Sequence, residues 1–143
     1  MSLSKLLILS SFIIMTGAAS AKEDARTPIV LTEDERNLVL EEMRTFLDTV
    51  RSITVSLSKD EMAVVSSSAK KVGMAAAGDV PPALAQKLPQ QFKILAMKIH
   101  MGFDALALDA SDMGDKQQTL EQLGTLMGNC VACHAIYRLP EPK

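Results

Sequence analysis

The chain has 143 residues, with 17 acidic side chains against 15 Lys and Arg and a net charge of −2. That length suits one domain, and the charge balance excludes the basic footprint that nucleic acid or an anionic lipid surface requires. With no Trp, one Tyr and four Phe, the chain also lacks the aromatic volume on which a core of this size normally leans.

The first segment, 1–21, has the pattern of a cleaved signal peptide. Lys5 supplies a positive start, Leu6 to Thr16 an apolar run, and Ala19-Ser20-Ala21 a small-residue cleavage site. The run falls short of the roughly 20 apolar residues of a spanning helix. Export without stable membrane insertion is expected, with 22–143 as the mature domain.

Four helices and no strands are predicted there. After a polar lead-in over 22–31, Thr32-Glu33-Asp34-Glu35 is a capping box, with Thr32 as N-cap and Glu35 reaching back. Val39, Met43, Phe46, Val50, Ile53 and Leu57 follow at alternating steps of four and three, an apolar stripe along a helix over 33–56. Ser58-Lys59-Asp60-Glu61 reads as a second capping box. It opens a helix over 59–77 with a stripe of Val65, Ala69, Val72 and Ala76, and Gly78 fits the left-handed position after its end. Asp79 to Leu88, with Pro81-Pro82, is the longest connection. Pro89 suits the first turn of the third helix, whose buried face is Phe92, Leu95, Ile99, Phe103 and Leu106 and which ends near Ala110. The fourth helix starts near Asp115 and is stopped by Pro140 and Pro142; its core stripe is Leu120, Leu123, Met127, Cys130, His134 and Tyr137. Four amphipathic helices with mostly short loops predict an all-α fold, an antiparallel up-down-up-down four-helix bundle. Cofactor sites in such bundles lie between facing helices.

The chemistry is concentrated at 130–134, Cys-Val-Ala-Cys-His. C-x-x-C-H is the attachment sequence of c-type haem. Two thiols three residues apart each bond one vinyl group of the porphyrin, and the next residue presents an imidazole to the iron. Three rival readings fit less well. A thioredoxin-type pair sits at a helix N-terminus, where the dipole favours thiolate; these cysteines fall in the last turns of a helix, where the sign is opposite. Structural zinc takes four ligands, and beyond this string the chain offers only His100 and no third Cys. A disulfide across so short a span of helix would be strained. The reading is one haem c on the C-terminal helix, bound through thioethers at Cys130 and Cys133, with His134 as proximal iron ligand.

The longer string Cys130-Val-Ala-Cys133-His134-Ala-Ile-Tyr137-Arg138 resembles the C-terminal C-x-x-C-H-x-x-Y-R of class II c-type cytochromes. That family comprises cytochrome c-prime and its low-spin, methionine-ligated branch. The resemblance spans the mature domain, four helices with the motif on the last. It implies a haem lodged inside the bundle with the distal face toward the first helix; the signal segment gives the expected location, the periplasm. It also implies a homodimer through the first two helices, for which the small residues of the second leave room. Beside the haem, Arg138 can fork onto a propionate or simply favour the helix C-terminus. Tyr137 can pack on the haem edge or only close the bundle.

The distal position separates two functions. In an antiparallel bundle the start of the first helix lies beside the end of the fourth. With about 1.5 Å of rise per residue, Met62 and Met113 fall at the wrong end, and Met127 is on the proximal helix. Of Met43, Met74, Met97 and Met101, only Met43 lies squarely on its helix's core stripe. It also falls where the family's first helix supplies the distal residue. Met43 as distal ligand gives an electron carrier rather than an enzyme, since Met raises the potential relative to a second His; redox proteins are then its partners. Met43 as ordinary packing gives a five-coordinate haem protein that binds nitric oxide or carbon monoxide. Many such proteins carry an Arg one turn before the distal site, where this chain has Val39. His100 could in principle ligate iron, but it follows Lys98 on a partly polar face and is expected as a surface or boundary residue.

Overall fold

A computed structural model describes residues 23–78 and 80–142; the expected signal segment lies outside the described residues. Among them the chain is mostly helical, with six helices and one pair of two-residue strands.

Helix α1 is Glu33–Ser58. It opens on the expected capping box: Glu35 N–H donates to Thr32 Oγ1 at 3.3 Å and Thr32 N–H to Glu35 Oε2 at 2.9 Å. Three acids in its first turn complement the helix dipole. Val39, Phe46, Ile53 and Leu57 are buried, and Met43 and Val50 pack half-buried beside the core.

Helices α2, Met62–Lys70, and α3, Met74–Ala77, replace the single helix expected over 59–77. Ser58 closes α1 instead of capping α2, its hydroxyl donating back to Val55 O. The reversal runs through Asp60 at φ 59°, and α2 begins without a side-chain cap. The later break comes from across the fold. Asp104 Oδ2 accepts from Met74 N–H at 2.9 Å, starting a new helix there. Its carboxylate fills the space beside Gly73, where a Cβ would lie 1.8 Å from Asp104 Oδ1. Gly78 has φ −72° and is not left-handed.

The connection 79–88 holds another short helix, α4, Pro82–Lys87, with Leu84 buried. Helix α5 is Gln90–Asp112 and α6 is Lys116–Ile136. Gly114, at φ +63°, returns its N–H to Asp109 O after α5, and Asp115 caps α6 by accepting from Gln118 N–H at 3.0 Å. Helix α6 ends before either late proline. Tyr137–Arg138 turns extended as β2 and pairs in parallel with β1, Thr27–Pro28, so the prediction of no strands is corrected. Nor is the lead-in polar throughout: Ile29 and Leu31 are buried, and Ile29 N–H donates to Arg138 O at 2.9 Å.

Polar pins set the order of the long helices. Ser52 bonds Ser68 between α1 and α2. Ser66 donates to Ala107 O, and His100 bonds Val72 O, joining α2 and the turn after it to α5. Gln122 donates to Asp109, and Leu126 lies against Gly102, joining α6 to α5. Each of these neighbours runs antiparallel. The main core takes Phe46, Ile53, Val65, Phe103, Leu106 and Leu123 from all four. A second cluster at one end joins Ile29, Leu31, Val39 and Leu84 to Phe92 and Tyr137. No helix among the described residues is long and apolar enough to cross a membrane.

Phe103 is fully buried, and Phe103→Ala should cost about 3–5 kcal/mol of stability. Thr32→Ala, which removes the cap of α1, should cost about 1 kcal/mol. Denaturant midpoints measure both.

Candidate haem-attachment site

Helix α6 carries Cys130, Cys133 and His134 in its last turns. Both cysteines are free thiols and half-buried, and Cys130 packs against the main core. Burial pushes both thiols above their ordinary value, with Cys130 adding repulsion at Cys133. That is the opposite of an activated redox pair. His134 is exposed; its carbonyl accepts from Arg26 Nη1 at 3.4 Å.

This exposure corrects the stripe expected for the fourth helix. Leu120 and Met127 were placed on the inward face and are 52% and 42% exposed. The buried line is Thr119, Leu123 and Leu126. The cause is one-sided packing. Leu126 sits against Gly102, where a Cβ would lie 3.0 Å from Leu126 Cδ1, and Gln118 and Gln122 both donate to Asp109. These contacts draw α6 onto α5, whereas α1 and α6 scarcely touch. At 3.6 residues per turn, α6 turns Leu120, Met127, Val131 and His134 toward α1. Helix α1 turns Arg36, Met43 and Leu47 toward α6. Val131 and Leu47 are 69% and 71% exposed, and a Cβ on Gly124 or Gly128 would meet nothing within 4 Å. An open apolar seam therefore runs between α1 and α6.

Two ion pairs register the helices across that seam. Arg36 Nη2 meets Glu141 Oε1 at 2.6 Å at one end, and Lys116 Nζ meets Asp60 Oδ1 at 2.8 Å at the other. Met43 follows Val39 by one turn on α1, and His134 precedes Tyr137 by one turn at the end of α6. Val39 and Tyr137 share the end cluster one turn further along, in the same register. The other three candidates for the distal ligand lie elsewhere: Met97 and Met101 are exposed on α5, and Met74 is on α3.

Tyr137 stacks edge-on against Phe92, with centroids 5.8 Å apart, and closes that end of the core. Arg138 Nε donates to Arg26 O at 3.3 Å and lies 3.8 Å from Asp24 Oδ2.

Two residues escaped the sequence reading. His100 is buried, not at the surface. Its Nδ1 is 2.9 Å from Val72 O, its Nε2 is 3.4 Å from Glu42 Oε1, and Phe46 packs edge-on 5.2 Å away. The Glu42 carboxylate holds its pKa above the ordinary value against the opposing effect of burial, and the Val72 carbonyl adds to the rise. Arg36 is the other. Its side chain is 19% exposed, and beyond the Glu141 pair its Nε is buried without a partner among the described residues. No group of three or more His, Cys, Asp or Glu among those residues could hold a bare metal ion.

Compared with family models, curated proteins and solved structures, the chain matches none.

Because folded His100 holds its proton more tightly than the unfolded chain, its stabilising contribution is complete below about pH 6.5. It is lost as pH rises through the raised value. Glu42→Gln should remove that decline, as read from denaturant midpoints collected between about pH 6 and about pH 9.

Proposed function

We propose that the protein is a periplasmic c-type cytochrome, a non-enzymatic carrier of single electrons that exchanges them with redox proteins. One haem c is bound through thioethers at Cys130 and Cys133, with His134 and Met43 on the iron. On this reading α1, α2 with α3, α5 and α6 are the antiparallel four-helix bundle of the cytochrome c-prime family. The observation that carries it is the open seam where α1 and α6 scarcely touch, with Cys130, Cys133 and His134 in the last turns of α6 beside it and Met43 half-buried on α1.

The residues suit the group. Two free half-buried thiols are available for the vinyl groups, and the His134 ring makes no hydrogen bond among the described residues. The exposed side chains of Leu47, Met127 and Val131 are apolar surface that a porphyrin would cover. The orphaned Arg36 Nε suits an anionic group at the seam's end. When bound, haem supplies a reversible one-electron couple. The chain's own residues hold and tune it. The thioethers keep the group fixed over repeated turnover, and a Met opposite a His raises the potential relative to two His ligands. Tyr137, packed on Phe92, excludes water from that end, and Arg138 offers a fork to a propionate. A homodimer through α1 and α2 would use their exposed sides, since Ser66 and Ser68 are already bonded within the chain.

A second reading has one observation in its favour. Met43 packs against the main core as an ordinary core side chain would, which leaves the iron five-coordinate and open to nitric oxide or carbon monoxide. Optical spectra of the mature protein separate the two. The carrier predicts low-spin ferric and ferrous spectra that turn high-spin in Met43→Ala. A high-spin spectrum unchanged by Met43→Ala would establish the gas-binding alternative, and a denaturing gel without covalent haem would end both.

A further inference from the structure

We infer that Arg36 is the buried cation that grips one of the two haem propionates, the other being left to Arg138, an assignment that rests on the haem reading above. The order of groups along α6 gives the direction. Cys130 and Cys133 come first and take the vinyl edge of the porphyrin. His134 follows toward the C-terminal end of the helix. The propionates stand on the porphyrin edge opposite the vinyls, so a haem held in this order would direct them toward the end where α1 begins.

Three arginines stand there. Arg26 is engaged twice over, by the Asp24 carboxylate at 2.7 Å and by His134 O. Arg138 donates to Arg26 O and shares Asp24. Arg36 alone is largely buried with a donor unused. Its Nη2 meets Glu141, an exposed residue of the C-terminal tail, while its Nε has no partner among the described residues. A buried donor left so is costly, a cost that one carboxylate oxygen would relieve. Arg36 shares the seam-facing side of α1 with Met43, two turns nearer the start. Along the helix that is about 10 Å, comparable to the reach from an iron to a propionate carboxylate. The planar fork matches a carboxylate in two-point contact, and Coulomb attraction to the electron makes a fixed cation there favour the reduced iron.

The test uses the haem-loaded protein, in which the covalent links keep the group in place after substitution. Arg36→Gln should shift the propionate bending bands in the resonance Raman spectrum and lower the midpoint potential, and Arg36→Lys should restore much of the potential. Glu141→Gln, which removes only the visible partner, should leave the propionate bands unchanged. If Arg36 serves Glu141 alone, Arg36→Gln and Glu141→Gln will lose the same stability and neither will move the bands or lower the potential; that result overturns the assignment. Should Arg36→Gln fail to fold, the unsubstituted protein decides. The Arg36 Nε–H resonance should exchange slowly and carry a paramagnetic shift in the ferric state, and exchange like that of a free arginine overturns the proposal. Absence of covalent haem would overturn the haem reading and this one together, a result distinguishable from intact haem with unmoved bands.

Discussion

The seat of Leu126 against Gly102, reinforced by two glutamine side chains on Asp109, is the constraint from which the rest of the site follows. It commits α6 to α5. A helix can bury only one broad stripe, so this commitment leaves the side of α6 that carries Met127, Val131 and His134 without a protein partner. A bulkier residue at Gly102 would push Leu126 outward and change which way the motif's histidine points. The opening between α1 and α6 is thus a product of packing on the opposite side.

The other three sides are tied by polar contacts in an apolar setting. His100 is clamped between the Val72 carbonyl and Glu42, and Glu42 precedes Met43 in the chain. Fixing Glu42 on α5 fixes the rotation of α1 and hence the direction in which Met43 leaves the helix. Asp104 holds the start of α3 in the same way. Buried, satisfied polar groups cost more to displace than apolar contacts, which tolerate sliding. The half of the fold remote from the seam is therefore the rigid half, and it sets the phase of the side chain that faces the seam.

Much of this was legible in the sequence because it is local. The Thr32–Glu35 box, the stripe of α1 and the C-x-x-C-H string each depend on residues within a few positions of one another. The failures share the opposite character. The break at Gly73 is made by Asp104, a residue of another helix. Along α6, Leu120–Leu123–Met127 and Thr119–Leu123–Leu126 both satisfy three-four spacing, so periodicity could not choose between them; a glycine on α5 chose. His100 looked polar from its neighbour Lys98, yet the inward face of α5 is wide enough to take both Ile99 and His100. Ser58–Glu61 has the composition of a capping box but serves a tight reversal through a left-handed Asp60. Ile29-Val30-Leu31 is an apolar run too short to announce an element after a polar start, and only the strand at Tyr137–Arg138 gives it a place.

That strand pair has a kinetic meaning. Arg26 and Arg138 are bonded although 112 positions separate them, the kind of contact whose loop-closure entropy delays it until shorter-range structure has formed. The clasp closes three residues beyond His134, so the last part of the molecule to become ordered adjoins the motif. On the proposed reading, the two thiols would be most easily reached while that final latch is undone.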